Sequence, residues 1–214
     1  MLNAIFNTIN PVMCVVFITF IAGFLFLNLK LKINQILFAI LFINATTEIL
    51  SIYLEIKNQS VSTLYNFSIL LHHTLWLFLL YSLIKSKIAL VVTILFFVFS
   101  VLNVLFFEGL DEFNCYTFVV GSLLYVILFL YESFRQLKKE NLLFFVLNPF
   151  ILIFAPVLFL LGMSFMFSFK DIELTSTIII FNTKLYVIIN YTLNFIYYIF
   201  ILVYIYKERI QKNA

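Results

Sequence analysis

Seven times along this chain a run of about 20 residues passes with hardly a charge, and short charged breaks separate the runs. The runs cover residues 11–29, 33–53, 64–84, 88–107, 116–134, 142–167 and 185–206. Each has the length a helix needs to cross a hydrocarbon core of about 30 Å. Lipid offers no partner to an open backbone group, so segments of this kind must be helices or strands of a closed barrel. The runs lack a strand's alternation and are too long for tilted barrel strands, which leaves helices.

Composition says the same from another direction. The 214 residues are 64% hydrophobic and 11% charged, with a mean hydropathy of +1.14, whereas soluble domains carry about 25% charged residues. A water-soluble fold of this size could not hide so much apolar surface. The fold class expected is an all-α, polytopic bundle of seven transmembrane helices, one domain over residues 1–214 with no soluble domain. Met1 to Asn10 lack the basic start of a signal peptide, and no small-residue cleavage site follows, so the first run reads as a retained span.

Direction follows from the positive-inside rule. Of the 13 Lys and Arg residues, only Lys57, Lys170 and Lys184 fall in breaks on one side, and the other ten share the opposite side. The N-terminus is therefore expected outside and the C-terminal tail in the cytoplasm. Lysine outnumbers arginine, and Phe, Ile and Asn are abundant, which suggests an AT-rich bacterial genome and a multi-pass protein of the inner membrane. Segment six is the weak point, because it could break at Pro149 or Pro156. A re-entrant segment there would put Lys207, Arg209 and Lys212 outside, against the bias, so a full span is expected.

Polar groups at membrane depth are costly and usually face the bundle interior. Segment two holds Asn44, Glu48 and Ser51 on one helical stripe; segment three holds Asn66, His72 and His73; segment four holds Ser100 and Asn103; segment seven holds Asn190, Asn194 and Tyr197. At a rise of about 1.5 Å per residue these groups converge in the outer half of the membrane. The candidate site is a polar pocket there, made by Asn44, Glu48, His72, His73, Asn103, Asn190 and Asn194. The amides could equally serve as hydrogen bonds holding helices together. A lone carboxyl in lipid needs a partner or a proton, and either histidine is the expected partner of Glu48.

Known chemistries are mostly excluded. His72 and His73 are the only histidines, and neighbours on a helix point about 100° apart, so no metal site is expected. No lysine sits mid-span in segment seven for a retinal, no serine has a histidine base in a nucleophile arrangement, and no span carries spaced arginines. No cofactor is expected, and an enzyme is the less favoured class. Cys14 and Cys115 both fall at outer helix ends, where they could form a disulfide. Tyr53, Tyr65, Tyr116, Tyr131, Tyr204 and Tyr206 lie near span ends and read as interfacial anchors. The basic face, with Lys85, Lys87, Arg135, Lys138 and Lys139, would attract anionic lipid headgroups and could dock a cytoplasmic protein. Direct nucleic-acid binding is not expected.

The chain resembles small seven-span membrane proteins of Bacteroidetes-type bacteria. The matching stretches are Leu64–Asn66 opening segment three, the Glu48-to-Tyr53 end of segment two, the Pro149-to-Phe167 run of segment six and the Asn190/Asn194 pattern of segment seven. Related architectures serve as sensory inputs to histidine kinases, and short membrane accessories accompany some CRISPR effectors. The resemblance implies a sensory, regulatory or accessory role, in signalling or in a bacterial defence system. The alternatives are a small transporter or channel coupling protons or cations through Glu48 and a histidine, and an intramembrane lipid-modifying enzyme.

Overall fold

The structure, a computed structural model, describes residues 10–168, 178–180 and 183–213. Its helices are α1 Pro11–Phe26, α2 Lys32–Ile56, α3 Ser62–Ile84, α4 Lys87–Phe106, α5 Cys115–Lys138, the single turn α6 Leu143–Val146, α7 Asn148–Ser168 and α8 Leu185–Asn213. Strands β1 Ile178–Ile180 and β2 Thr183–Lys184 pair antiparallel just before α8. Six of the helices are long and apolar enough to cross a membrane; α1 is apolar but spans 16 residues. The chain is thus a helical membrane bundle.

Local chemistry sets the helix ends. Asn10 caps α1 by accepting from the Met13 N–H at 3.0 Å, and Pro11 occupies the first turn, where no N–H is needed. Segment six breaks once rather than at either proline alike. Leu147 is extended (ψ 147°), which ends α6, and α7 restarts at Asn148 with Pro149 in its first turn. Pro156 lies inside the continuous α7, and the Tyr125 hydroxyl of α5 donates to the Ile153 carbonyl at 2.8 Å in the turn that proline disturbs. At about 31 Å, α7 has the length of a full span.

Packing follows chain order around a ring. Each of α1, α2, α3, α4, α5, α7 and α8 packs on the next, and α8 closes on α1. Helix α3 also reaches α5 and α7, so it fills the middle. Outward-facing positions such as Phe24, Leu95, Leu105 and Phe134 are exposed and apolar, a surface suited to lipid rather than water. One end carries Lys85, Lys87, Arg135, Lys138 and Lys139, at the ends of α3 and α5 and the start of α4. This basic end and the opposite end frame what lies between.

The interior falls into three tiers. At the basic end, Asn34 Nδ2 donates to the Asn28 carbonyl and to Glu208, and Tyr204 donates to Asn34 Oδ1 at 2.6 Å. Asn148 Nδ2 donates to the other Glu208 oxygen at 2.9 Å, so α2, α7 and α8 are tied together. The middle tier is apolar and closed: Leu37, Ile40, Leu41, Leu80, Leu152 and Ile201 are fully buried. The third tier, at the far end, is polar and contains a cavity.

Two expectations need correction here. Tyr204 is no interfacial anchor: it is 3% exposed and belongs to the Asn34 network. Cys14 and Cys115 are not joined by a disulfide. Helix α1 packs on α2 and α8, whereas α5 packs on α3, α4 and α7, so the two cysteines sit on different neighbours. Tyr53, Tyr116, Tyr131 and Tyr206 do lie on the outer surface, as anchors should.

Candidate functional site

The cavity measures about 640 Å³ and lies among α2, α3, α5, α7 and α8 at the end away from the basic residues, with the start of α1 at its edge. Its depth is set by helix register. Helix α2 reaches it after Asn34 and the Leu37–Leu41 layer, presenting Asn44, Thr47 and Glu48. Helix α8 runs the other way, presenting Tyr186, Asn190 and Asn194 before Ile201. Helix α3 contributes Tyr65, Ser68, His72 and His73. The spacings of three and four residues that put these groups on common stripes are what bring them to one chamber.

Six of the seven expected site residues line this cavity: Asn44, Glu48, His72, His73, Asn190 and Asn194. Asn103 does not. Its amide donates to Glu108 and, at 2.9 Å, to Thr117. Glu108 in turn accepts from the Tyr116 N–H at 3.1 Å and so holds the first turn of α5. Asn103 is a joint between α4 and α5, which its depth in the membrane could not reveal. Asn66 is a second joint, donating to the Leu110 and Glu112 carbonyls and accepting from the Asn114 N–H.

The expected pairing of Glu48 with a histidine is not made. His73 Nδ1 donates to the Ile69 carbonyl at 3.0 Å, and its Nε2 accepts from Ser122 at 3.2 Å. His72 is held differently. Trp76 Nε1 can only donate, and it lies 3.1 Å from the Tyr197 oxygen and 3.2 Å from His72 Nε2. The Tyr197 hydroxyl then donates to His72 Nε2 at 3.2 Å, which places the His72 proton on Nδ1. Both imidazoles are therefore engaged through Nε2 by neutral partners. Among the described residues no hydrogen bond or ion pair reaches the Glu48 carboxyl; the one ion pair joins Arg135 to Glu132 at the basic end.

The His72–Trp76–Tyr197 cluster forms the cavity's floor. Trp76 and Tyr197 are 0% and 1% exposed, and Tyr125 packs edge-on beneath the indole. Sequence reasoning placed Tyr197 on a stripe with Asn190 and Asn194 but left Trp76 out. The signal was available: Trp76 is the chain's sole tryptophan, one helical turn after His72. Tyr198 was also missed; it accepts from Asn44 Nδ2 at 3.1 Å and ties α8 to α2 at the cavity wall. Thr47 donates to Ser68 at 3.0 Å and does the same for α2 and α3.

A chamber of this size, largely apolar with a few convergent polar groups, has the form of a small-molecule site. No cluster of three or more His, Cys, Asp or Glu suited to a metal occurs among the described residues. Compared with known protein families, curated proteins and solved structures, the chain matches none of them.

Proposed function

We propose that this chain is a seven-span sensory or regulatory membrane protein that binds a small ligand in its far-end cavity. The observation that carries this reading is that the cavity is blind. Its floor is the buried His72–Trp76–Tyr197 cluster, and the dry Leu37–Ile40–Leu80–Leu152–Ile201 tier lies beneath it. Such a layer offers an ion no polar step toward the other end. It suits a binding site whose occupancy is read through helix movement.

In this reading α1 is the seventh span, the N-terminus is outside, and the basic end faces the cytoplasm of a bacterial inner membrane. The bias of Lys and Arg toward one end supports that direction. Helix α8 is the natural relay, since it carries Asn194 and Tyr197 at the cavity and Tyr204 and Glu208 in the basic-end network. The output is contact by the basic end with anionic headgroups or with a cytoplasmic protein partner, in signalling or as an accessory to a defence system.

The competing reading is transport, favoured by the presence of polar tiers at both ends of the dry layer. Flux in proteoliposomes separates the two. Under an imposed pH gradient and membrane potential, the wild-type protein is expected to leave internal pH indistinguishable from that of empty vesicles. Proton or cation flux that disappears in Glu48→Gln would overturn the sensory reading in favour of coupling.

A further inference from the structure

We infer that the ligand is an amphipathic organic monocation, an arylalkyl ammonium or similar amine, held with its charge at Glu48 and its apolar body on the cavity's rings. This inference rests on the cavity being a ligand site. Glu48 is the only Asp, Glu, Lys or Arg among the cavity's described lining residues. A carboxyl at membrane depth with no partner among the described residues takes up either a proton or a cation, and a cationic ligand supplies the second. An anion would meet the same carboxyl unfavourably, and no described lining residue carries a compensating base.

The surroundings select an organic cation over a metal. Tyr65 and Tyr198 line the same chamber as Glu48, so aromatic side chains share the space with the carboxyl. Phe118, Phe159 and Phe167 line the same space, and Phe118 packs edge-on against both other rings. A cation held over ring faces gains a further attraction that a neutral isostere lacks. A metal ion needs several oxygen or nitrogen ligands converging in a small cage, whereas this chamber has about 640 Å³. Asn44, Asn190 and Asn194 supply amide groups for the ammonium hydrogens or for a polar group elsewhere on the ligand.

The floor provides the readout. Trp76 is the sole tryptophan, and its indole N–H is bonded to Tyr197 and His72 at the cavity's base, so intrinsic fluorescence reports occupancy directly. The test uses the full chain in phosphatidylcholine nanodiscs, whose zwitterionic lipid does not favour either charge. Three probes share one skeleton: 4-phenylbutylammonium, 4-phenylbutanol and 4-phenylbutyrate. The ammonium is expected to bind at least about tenfold more tightly than the alcohol or the carboxylate. In Glu48→Gln that preference should collapse while alcohol binding is retained, and Glu48→Asp should restore most of it. Retained alcohol binding also shows that the glutamine variant is folded. Binding of all three probes with no preference for the ammonium would overturn the monocation and leave the cavity reading standing. No fluorescence response to any probe would overturn both.

Discussion

Replacing Asn34 by leucine is expected to lower the unfolding free energy by about 2–3 kcal/mol, a large loss for a residue far from the candidate site. A single cross-helix hydrogen bond in a membrane protein contributes only about 0.6 kcal/mol on average, because helices separated within the bilayer find other partners. Asn34 is not a single bond. Its side chain is completely buried and joins the Asn28 carbonyl, Glu208 and the Tyr204 hydroxyl at once. Leucine would remove all three and leave a carboxylate oxygen of Glu208 and the buried Tyr204 hydroxyl without that partner. Tyr204→Phe removes one of the three and leaves Asn34 two bonds, so it should cost below about 1 kcal/mol. Equilibrium unfolding by SDS titration in bicelles would measure both. Equal effects of the two variants would mean that the network is not the unit proposed.

The second large effect is expected at Gly121, where α5 lies close against α3 and α4. A methyl group there would stand 2.7 Å from His73 Cδ2 and 2.7 Å from the Phe96 ring. Neither ring can yield cheaply. His73 is pinned through both nitrogens, and Phe96 is 1% exposed. Gly121→Ala should therefore destabilise by about 2–3 kcal/mol, at the upper part of the range for overpacked cores. Because His73 lines the cavity, the same change should also weaken probe binding. Shortening the opposing ring is the check: Phe96→Leu combined with Gly121→Ala should cost clearly less than the two single changes added together. Strict additivity, measured by the same SDS titration, would mean that the close approach of α5 is not where the strain lies.

These predictions show which parts of the molecule could be read from its sequence. Long apolar runs broken by charges placed the helices, with ends within four residues except at the start of segment six and the end of segment seven, because the bilayer fixes both length and backbone state. Proline was ambiguous for a physical reason: at Pro149 it starts a helix, and at Pro156 it is carried inside one. The β1–β2 pair escaped notice, although three consecutive isoleucines are a strand-forming signal. At the site, helical spacing brought six residues to one cavity, since stripes and depth are local properties. Partner choice is not local. Glu48 does not meet a histidine because Ser122 and Tyr197, on helices far along the chain, engage His73 and His72. Asn103 shared the depth of the site but faces α5. The basic-end network went unread because Asn34, Asn148 and Glu208 lie beside the charged breaks, where polar residues look ordinary.

Thiol accessibility in intact cells would show whether the cavity is blind and opens only at the end away from the basic residues. In a Cys14→Ala, Cys115→Ala background, single cysteines would replace Asn194 in the cavity wall, Ile201 in the dry tier and Asn141 at the basic end. A membrane-impermeant maleimide added outside should label position 194, should reach 141 only after the membrane is permeabilised, and should label 201 under neither condition. Labelling of 201 from either side would mean that the cavity is not blind, and labelling of 194 only after permeabilisation would mean that it opens toward the cytoplasm.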